Sequence, residues 1–159
     1  MGVRHTNKEV ISMKYFIFLS VLILSACSST HETVLNSQST DVMRLIEQVA
    51  ENAPKGVIGT FQIPIKSFGN QGRMAYLNSE LDYRDQRNIT LAITPKAIKE
   101  LKSKYGENYQ TLFINKSLKV KGMAKRVKIF FISNGKITKK YYYQTHIRID
   151  TGTQIQVLS

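Results

Sequence analysis

From Val57 onward, apolar residues recur mainly at every second position, which is the spacing of strands that bury one face. The pattern predicts strands over 57–65, 74–77, 89–93, 117–131, 141–149 and 154–158. Residues Ser67 to Gly72 are rich in turn formers and predict the turn of a first hairpin. Pro64 cannot donate a ladder hydrogen bond, so we expect a sheet edge or a bulge there.

A period near 3.6 residues marks two helices. The first is a short amphipathic helix predicted over 41–53, with apolar residues on one face at Val42, Leu45, Ile46 and Val49. The second begins at Thr94, whose side chain suits the N-cap, with Pro95 at the first helical position. We expect this helix to end at Gly106, because glycine adopts the left-handed conformation without strain.

The Asn134-Gly135 pair predicts a two-residue hairpin loop, in which both positions take positive φ angles. Without the short last segment 154–158, the predicted order is three strands, one helix and two further strands, which is the order of an OB-fold. Four segments resemble the OB-fold-like domains of small uncharacterised bacterial proteins: 76–78, 82–85, 89–93 and 115–124. We therefore expect a mainly β domain over 57–158, a five-stranded OB-fold-like barrel with one inserted helix, preceded by the short N-terminal helix. OB-folds are found in proteins with unrelated functions, so the fold alone does not indicate a function.

The segment 13–27, MKYFIFLSVLILSAC, has the layout of a secretory signal: a positive charge at Lys14, an apolar run and small closing residues. About ten to twelve apolar residues form a helix of roughly 15–18 Å, which is short against a hydrocarbon core of about 30 Å. The closing LSAC resembles the lipobox of bacterial lipoproteins. That resemblance implies cleavage before Cys27 and attachment of diacylglycerol to its sulfur. The alternative is an ordinary secretory signal with a chance cysteine.

Cys27 is the only cysteine in the chain, and lipidation would account for an unpaired thiol in an oxidising compartment. Ser28 follows Cys27. In Gram-negative lipoproteins an Asp at this position favours retention in the inner membrane. Because the chain has Ser instead, the resemblance implies an outer-membrane lipoprotein facing the periplasm. We expect a signal peptide over 1–26, with Met13 as an alternative start, and a polar, flexible tether over 27–40. We expect no cofactor besides this covalent lipid.

Residues 27–159 carry 20 Lys and Arg against 10 Asp and Glu, a formal net charge of +10. Such a charge attracts anionic lipid, phosphate-rich lipopolysaccharide, acidic proteins and nucleic acid, although a solvated surface without a partner has the same composition. A lipid-anchored periplasmic protein has little access to nucleic acid. We therefore expect an envelope protein or an anionic lipid as partner, in addition to the membrane that holds the anchor.

The first candidate binding segment is the predicted second hairpin, with Tyr83, Arg84 and Arg87. Two carboxylates there, Asp82 and Asp85, would serve a divalent-metal hydrolase or nuclease as metal ligands or bases. Alternating charges in a polar turn are also typical of ion pairs and turn hydrogen bonds. The chain lacks convincing matches to the motifs of OB-barrel nucleases, so we assign no catalytic residue.

The second candidate segment interleaves basic and aromatic residues, and its candidates are Tyr141, Tyr143, His146 and Arg148. Such a strand could stack nucleic acid bases or a sugar. In a strand, however, Tyr142 faces away from its two neighbours, so we expect at least one tyrosine in the core. Only two histidines and no second cysteine follow Ala26, so we predict no metal site.

Together these patterns favour a non-enzymatic binding or assembly module on a lipid tether, which binds a protein or an anionic envelope component. The alternative is a divalent-metal-dependent hydrolase or nuclease on an OB barrel.

Overall fold

The computed structural model describes residues 1–2 and 41–158. The predicted signal peptide, Cys27 and the tether lie outside the described residues, so the lipid anchor stays a prediction. No helix among the described residues is long and apolar enough to cross a membrane.

The described chain is mainly β, with seven strands in one sheet. The strands are β1 (Val57–Pro64), β2 (Ser67–Gln71), β3 (Met74–Asn78), β4 (Ile89–Ile93), β5 (Ser117–Ser133), β6 (Lys136–Ile149) and β7 (Ile155–Val157). Their order is β1-β5-β6-β4-β3-β2, and β7 pairs with β5 as well. All described pairs are antiparallel except β4 with β6, which run parallel.

Three α-helices accompany the sheet: α1 (Val42–Glu51), α2 (Pro95–Tyr105) and α3 (Tyr109–Phe113). The carboxylate of Asp41 accepts hydrogen bonds from the backbone amides of Met43 and Arg44, which caps α1. Thr94 caps α2 through the amide of Ala97, and Gly106 follows its last residue with a φ of 91°. The start and end expected for α2 from the sequence are therefore confirmed.

The core lies between the sheet and the helices. Alternate strand residues point inward and are buried, among them Ile63, Leu77, Leu91, Leu118, Val120 and Ile147. The helices complete the core with Leu45, Val49, Leu101, Tyr109 and Phe113. Lys119 and Lys121 alternate with the buried residues of β5 and are exposed, as their positions predict.

Two expectations about the elements were wrong, and the expected barrel is not shown by the strand pairing. Residues Ser67 to Gln71 form strand β2 rather than a turn, because they pair with Met74 to Asn78 and leave only Gly72 and Arg73 to reverse the chain. The structure has seven strands rather than five, and α3 follows α2 before β5. The order of strands begins at β1 and ends at β2, so a closed barrel is not established by the pairing.

The β5–β6 connection matches the predicted tight turn. Asn134 and Gly135 have φ angles of 51° and 72°, as a two-residue loop with both positions left-handed requires. Ser133 pairs with Lys136 on either side of it. Since β5 has 17 residues and β6 has 14, this turn lies at the end of an unusually long hairpin.

Candidate functional site

The loop between β3 and β4, residues 79–88, is organised by the buried side chain of Asn88. Its Oδ1 accepts a hydrogen bond from the backbone amide of Glu80 at 3.1 Å, and from Ser79 Oγ at 3.4 Å. Its Nδ2 donates to Thr90 Oγ1 at 2.9 Å and to the carbonyl of Tyr83 at 3.1 Å. One side chain therefore connects both ends of the loop to its middle.

The two aspartates of this loop close small turns. Asp82 Oδ1 accepts from the backbone amide of Arg84 at 2.9 Å, and Asp85 Oδ1 accepts from that of Arg87 at 2.9 Å. The same arginines pair with them, Arg87 Nη2 lying 2.7 Å from Asp85 Oδ2. The Arg87 side chain lowers the pKa of Asp85 to about 2, and the Arg84 amide lowers the pKa of Asp82. Both carboxylates are therefore committed to local contacts.

A pocket of about 410 Å³ lies beside this loop, on the outer face of β3, β4 and β6. Its lining is Gly69, Asn70, Gln71, Tyr76, Asn78, Tyr83, Thr90, Ile129, Gln144 and His146. The lining combines two tyrosine rings with amide and hydroxyl groups, and it holds no Lys, Arg, Asp or Glu. Pockets of this kind place hydrogen-bonding groups around a small apolar contact area.

Gln144 joins the loop to the pocket. Its Nε2 donates to the carbonyl of Tyr83 at 2.8 Å and to the hydroxyl of Tyr142 at 3.2 Å. Its Oε1 lies 2.7 Å from His146 Nε2, so the imidazole proton is on Nε2. Burial lowers the pKa of His146 to about 4, and the ring is therefore neutral at pH 7.

The hydroxyl of Thr90 is engaged as well. It donates to Asn78 Oδ1 at 2.9 Å while it accepts from Asn88. No serine or threonine hydroxyl is bonded to His146 among residues 41–158, and no group of three metal-ligating side chains occurs in that part of the chain. The pocket thus presents hydrogen-bonding groups without the paired nucleophile and base of covalent catalysis.

The second candidate surface is the outer part of the β5–β6 hairpin, residues 128–143, which we call the ribbon. Its strands pair with each other, while β4 pairs only with Thr145 to Ile149 of β6 and β1 reaches only Ala124 of β5. One face carries stacked rings and cations. Arg126 precedes the ribbon, and its Cζ lies 3.8 Å from the centroid of the Tyr143 ring. The Nζ of Lys128 lies 4.4 Å from the centroid of the Tyr141 ring.

The residues predicted as candidates fall into three places. Tyr83 and His146 line the pocket, and Arg84 lies over the Tyr83 ring at 5.3 Å from its centroid. Tyr141 and Tyr143 share the other face of β6, with ring centroids 5.5 Å apart. Arg87 pairs with Asp85, and Arg148 pairs with Asp150 at 2.8 Å outside the pocket lining.

The expectation that one tyrosine of the triplet lies in the core was wrong. Tyr141 and Tyr143 are exposed and Tyr142 is half-buried, because this part of β6 extends past the rest of the sheet. Four further polar residues of the site were not predicted from the sequence: Asn78, Asn88, Thr90 and Gln144. Asn78, Asn88 and Thr90 lie at or next to strand ends and Gln144 lies within β6. A polar residue at such a position does not by itself distinguish a buried network from a solvated surface.

No family model matches the chain. It is similar to the "Uncharacterized protein YqbQ" of Bacillus subtilis (strain 168), at 29% identity over 117 residues that cover 74% of this chain and 34% of YqbQ. The chain thus spans about a third of the length of that relative. An aspartyl tRNA synthetase from Entamoeba histolytica aligns with 77% of this chain and 21% of its own, at a TM-score of 0.45 and 15% identity. The similarity to YqbQ agrees with the expected resemblance to uncharacterised bacterial proteins, and it names no activity.

Proposed function

We propose that this protein is a lipid-anchored, non-enzymatic binding module of the bacterial envelope, whose pocket receives an uncharged, hydroxyl-rich group such as a sugar ring. The observation that carries the proposal is the pocket lining: two tyrosine rings, amide side chains and a neutral histidine, with no charged residue. Aromatic faces pack against the apolar face of a sugar while amides bond its hydroxyls.

His146 supports a neutral ligand. Its Nε2 is used by Gln144, and Nδ1 has no hydrogen-bond partner among the described residues. The unprotonated Nδ1 of a neutral imidazole accepts a hydrogen bond from a hydroxyl group but does not attract an anion. Anionic groups of the same envelope component would contact the ribbon, because its lysines form no salt bridge in the described chain and the pocket lining holds no cation.

We further propose the OB-fold-like arrangement for the sheet. β1 and β2 are separated only by Ile65 and Lys66, whose amides donate to the carbonyls of Lys116 and Asn78. One bent segment therefore contacts β5 at one end and β3 at the other, as the first strand of an OB-fold does. The parallel β4–β6 pair and the helices between β4 and β5 fit the same topology.

The pocket is tested with the full-length protein in detergent and soluble envelope oligosaccharides, by saturation-transfer difference NMR. Tyr83→Ala removes the ring but keeps the carbonyl that Asn88 and Gln144 bond, so the loop should persist. We expect at least tenfold weaker binding for Tyr83→Ala. The matched control is Tyr141→Ala, which removes an equally exposed ring outside the pocket. Absence of sugar binding, or equal binding by both variants, would contradict the proposal.

The anchor is tested separately. Cells expressing the wild-type chain should incorporate radioactive palmitate into the protein, and the protein should fractionate with the outer membrane. Cys27→Ala should abolish both results, because the thiol is the proposed attachment point. Unchanged labelling and fractionation in Cys27→Ala would show that the lipobox interpretation is wrong, whatever the pocket binds.

A further inference from the structure

The ribbon has an exposed apolar face that no described element covers. Phe130 and Tyr141 pair directly across it with ring centroids 6.1 Å apart, and Tyr143 follows Tyr141. Nearer the turn, beyond a shift of the strand register between Phe130 and Ile132, the pair Ile132 and Ile137 is 67% and 73% exposed. Soluble proteins rarely leave such a row of large apolar side chains uncovered unless it contacts something else.

The same segment has a one-sided charge. Residues 117–149 contain nine Lys and Arg and no Asp or Glu. Four of these lysines lie in the ribbon: Lys128, Lys136, Lys139 and Lys140. None of the four forms a salt bridge with a carboxylate in the described chain, where the six ion pairs involve other cations. A partner that complements this face therefore offers apolar groups and negatively charged groups close to each other.

We propose that the ribbon lies on an anionic lipid bilayer, with its apolar face among the upper acyl chains and its lysines at the phosphates. Tyrosine rings are favoured at this depth because one end is apolar and the hydroxyl stays hydrated. Lysines reach outward along their stems and contact the phosphates of anionic lipids. The inference uses different residues from the pocket and does not depend on it.

The geometry of the ribbon suits this role. From Tyr143 to the turn at Asn134 and Gly135, a strand rising about 3.3 Å per residue extends roughly 25 Å. Tyr141 and Tyr143 lie on the face of this length opposite to Ile129, which lines the pocket. The positive charges also lie next to the aromatic rings, since the Nζ of Lys128 is 4.4 Å from the centroid of the Tyr141 ring. A lipid surface offers phosphates and hydrocarbon within a few ångströms of each other, which matches that mixture.

The test measures flotation with vesicles of the chain from residue 27 to 159, the mature form expected from the sequence. Starting there removes the apolar run of the signal segment, and a Cys27→Ala background removes any lipid anchor from every variant. Vesicles contain phosphatidylcholine with or without 30% phosphatidylglycerol. Ile137→Glu places a charge at the exposed apolar end of the ribbon. Ile58→Glu is the matched control, because Ile58 is a similarly exposed strand residue on β1, at 78%. Both substitutions change the net charge equally.

We expect Ile137→Glu to lower the partition onto anionic vesicles at least tenfold, while Ile58→Glu keeps the binding of the parent chain. Binding should weaken when the salt concentration rises from 0.1 to 0.5 M. Equal vesicle binding by the two variants would overturn the proposal. So would a parent chain that binds no vesicle but changes its oligomeric state in Ile137→Glu, because that result assigns the face to a second protein copy.

A fluorescence measurement keeps the proposal testable if Ile137→Glu fails to fold. The chain has no tryptophan, so Tyr141→Trp supplies a single indole on the apolar face. Anionic vesicles with brominated acyl chains should quench and blue-shift its emission. Tyr83→Trp, in the exposed loop outside the ribbon, is the control and should be unaffected. Quenching of both, or of neither, would contradict insertion of the ribbon face.

Discussion

The side-chain amide of Gln144 donates a hydrogen bond to the carbonyl oxygen of Tyr83 at 2.8 Å, across 61 residues of chain. It is the contact that holds the 79–88 loop against β6. The same side chain orients His146 and bonds the hydroxyl of Tyr142. One buried glutamine therefore links the loop, the pocket and the base of the ribbon.

Replacing Gln144 with methionine should destabilise this junction. Methionine has a similar length but cannot donate to Tyr83 or accept from His146, so buried polar groups lose partners. We expect the free energy of unfolding to fall by about 1–3 kcal/mol, and the amides of the 79–88 loop to exchange faster. Denaturant titration and hydrogen exchange measure these effects. Gln156→Met, at an exposed position of β7, is the control and should change neither.

Asn88→Asp should be more damaging than its small change in shape suggests. The amide group that donates to Thr90 and Tyr83 becomes an oxygen that repels both acceptors, and a charge is buried. We expect a loss of about 2–4 kcal/mol at pH 7 in thermal or denaturant unfolding. Asn108→Asp, an exposed residue without a capping side-chain bond, is the comparison. Similar stability of the two variants would rule out the proposed role of Asn88 in the loop.

Stability should decrease in mild acid because of His146. The pKa of His146 is about 4 in the folded chain, against the ordinary histidine value of 6.5, so the unfolded chain binds the proton first as the pH falls. The free energy of unfolding then drops between pH 6.5 and 4, by up to about 3 kcal/mol, and is fully recovered above pH 6.5. In His146→Gln the new side chain can still donate a hydrogen bond to Gln144, but it has no group that titrates in this pH range. Parallel pH profiles for the wild type and His146→Gln would contradict the assignment.

The two tyrosines near Phe113 should respond oppositely to loss of the hydroxyl. The Tyr109 hydroxyl is buried without a hydrogen-bond partner among the described residues, and burial raises the pKa of Tyr109. Tyr109→Phe should therefore raise the free energy of unfolding by about 1 kcal/mol. Tyr105 donates to the carbonyl of Ile155 at 3.4 Å, so Tyr105→Phe should lower it by about 0.5–1 kcal/mol. A loss of stability in Tyr109→Phe would instead indicate that the Tyr109 hydroxyl forms a hydrogen bond, for which the side chain of Gln110 is the candidate partner.

Much of the element order could be read from local patterns. The Thr94-Pro95 start of α2, its end at Gly106 and the Asn134-Gly135 turn depend on the conformational preferences of one or two residues, and those preferences hold in any context. The alternation of Leu118 and Val120 with exposed lysines likewise identified the inner face of β5. These features need no knowledge of distant parts of the chain.

The 67–72 segment shows where local patterns mislead. Its Ser, Gly and Asn residues favour a turn, yet pairing with β3 makes most of it a strand, because ladder hydrogen bonds with a neighbour outweigh a weak local preference. The Tyr141 to Tyr143 triplet is a second case. Its residues suit a buried strand, but within residues 41–158 no element other than the paired strand β5 contacts that part of β6.

The sequence by itself determined the basic charge, the mainly β class, the strongest helix and turn signals, and the candidate residues of the loop and the last long strand. Only the tertiary structure decided which candidates share a site, since Tyr83 and His146 meet through Gln144 while Tyr141 and Tyr143 lie on the other face. The physical reason is strand register. The residues that pair across two strands determine the face of the sheet on which each side chain lies. This pairing joins distant segments of the chain, so no single position in the sequence encodes it.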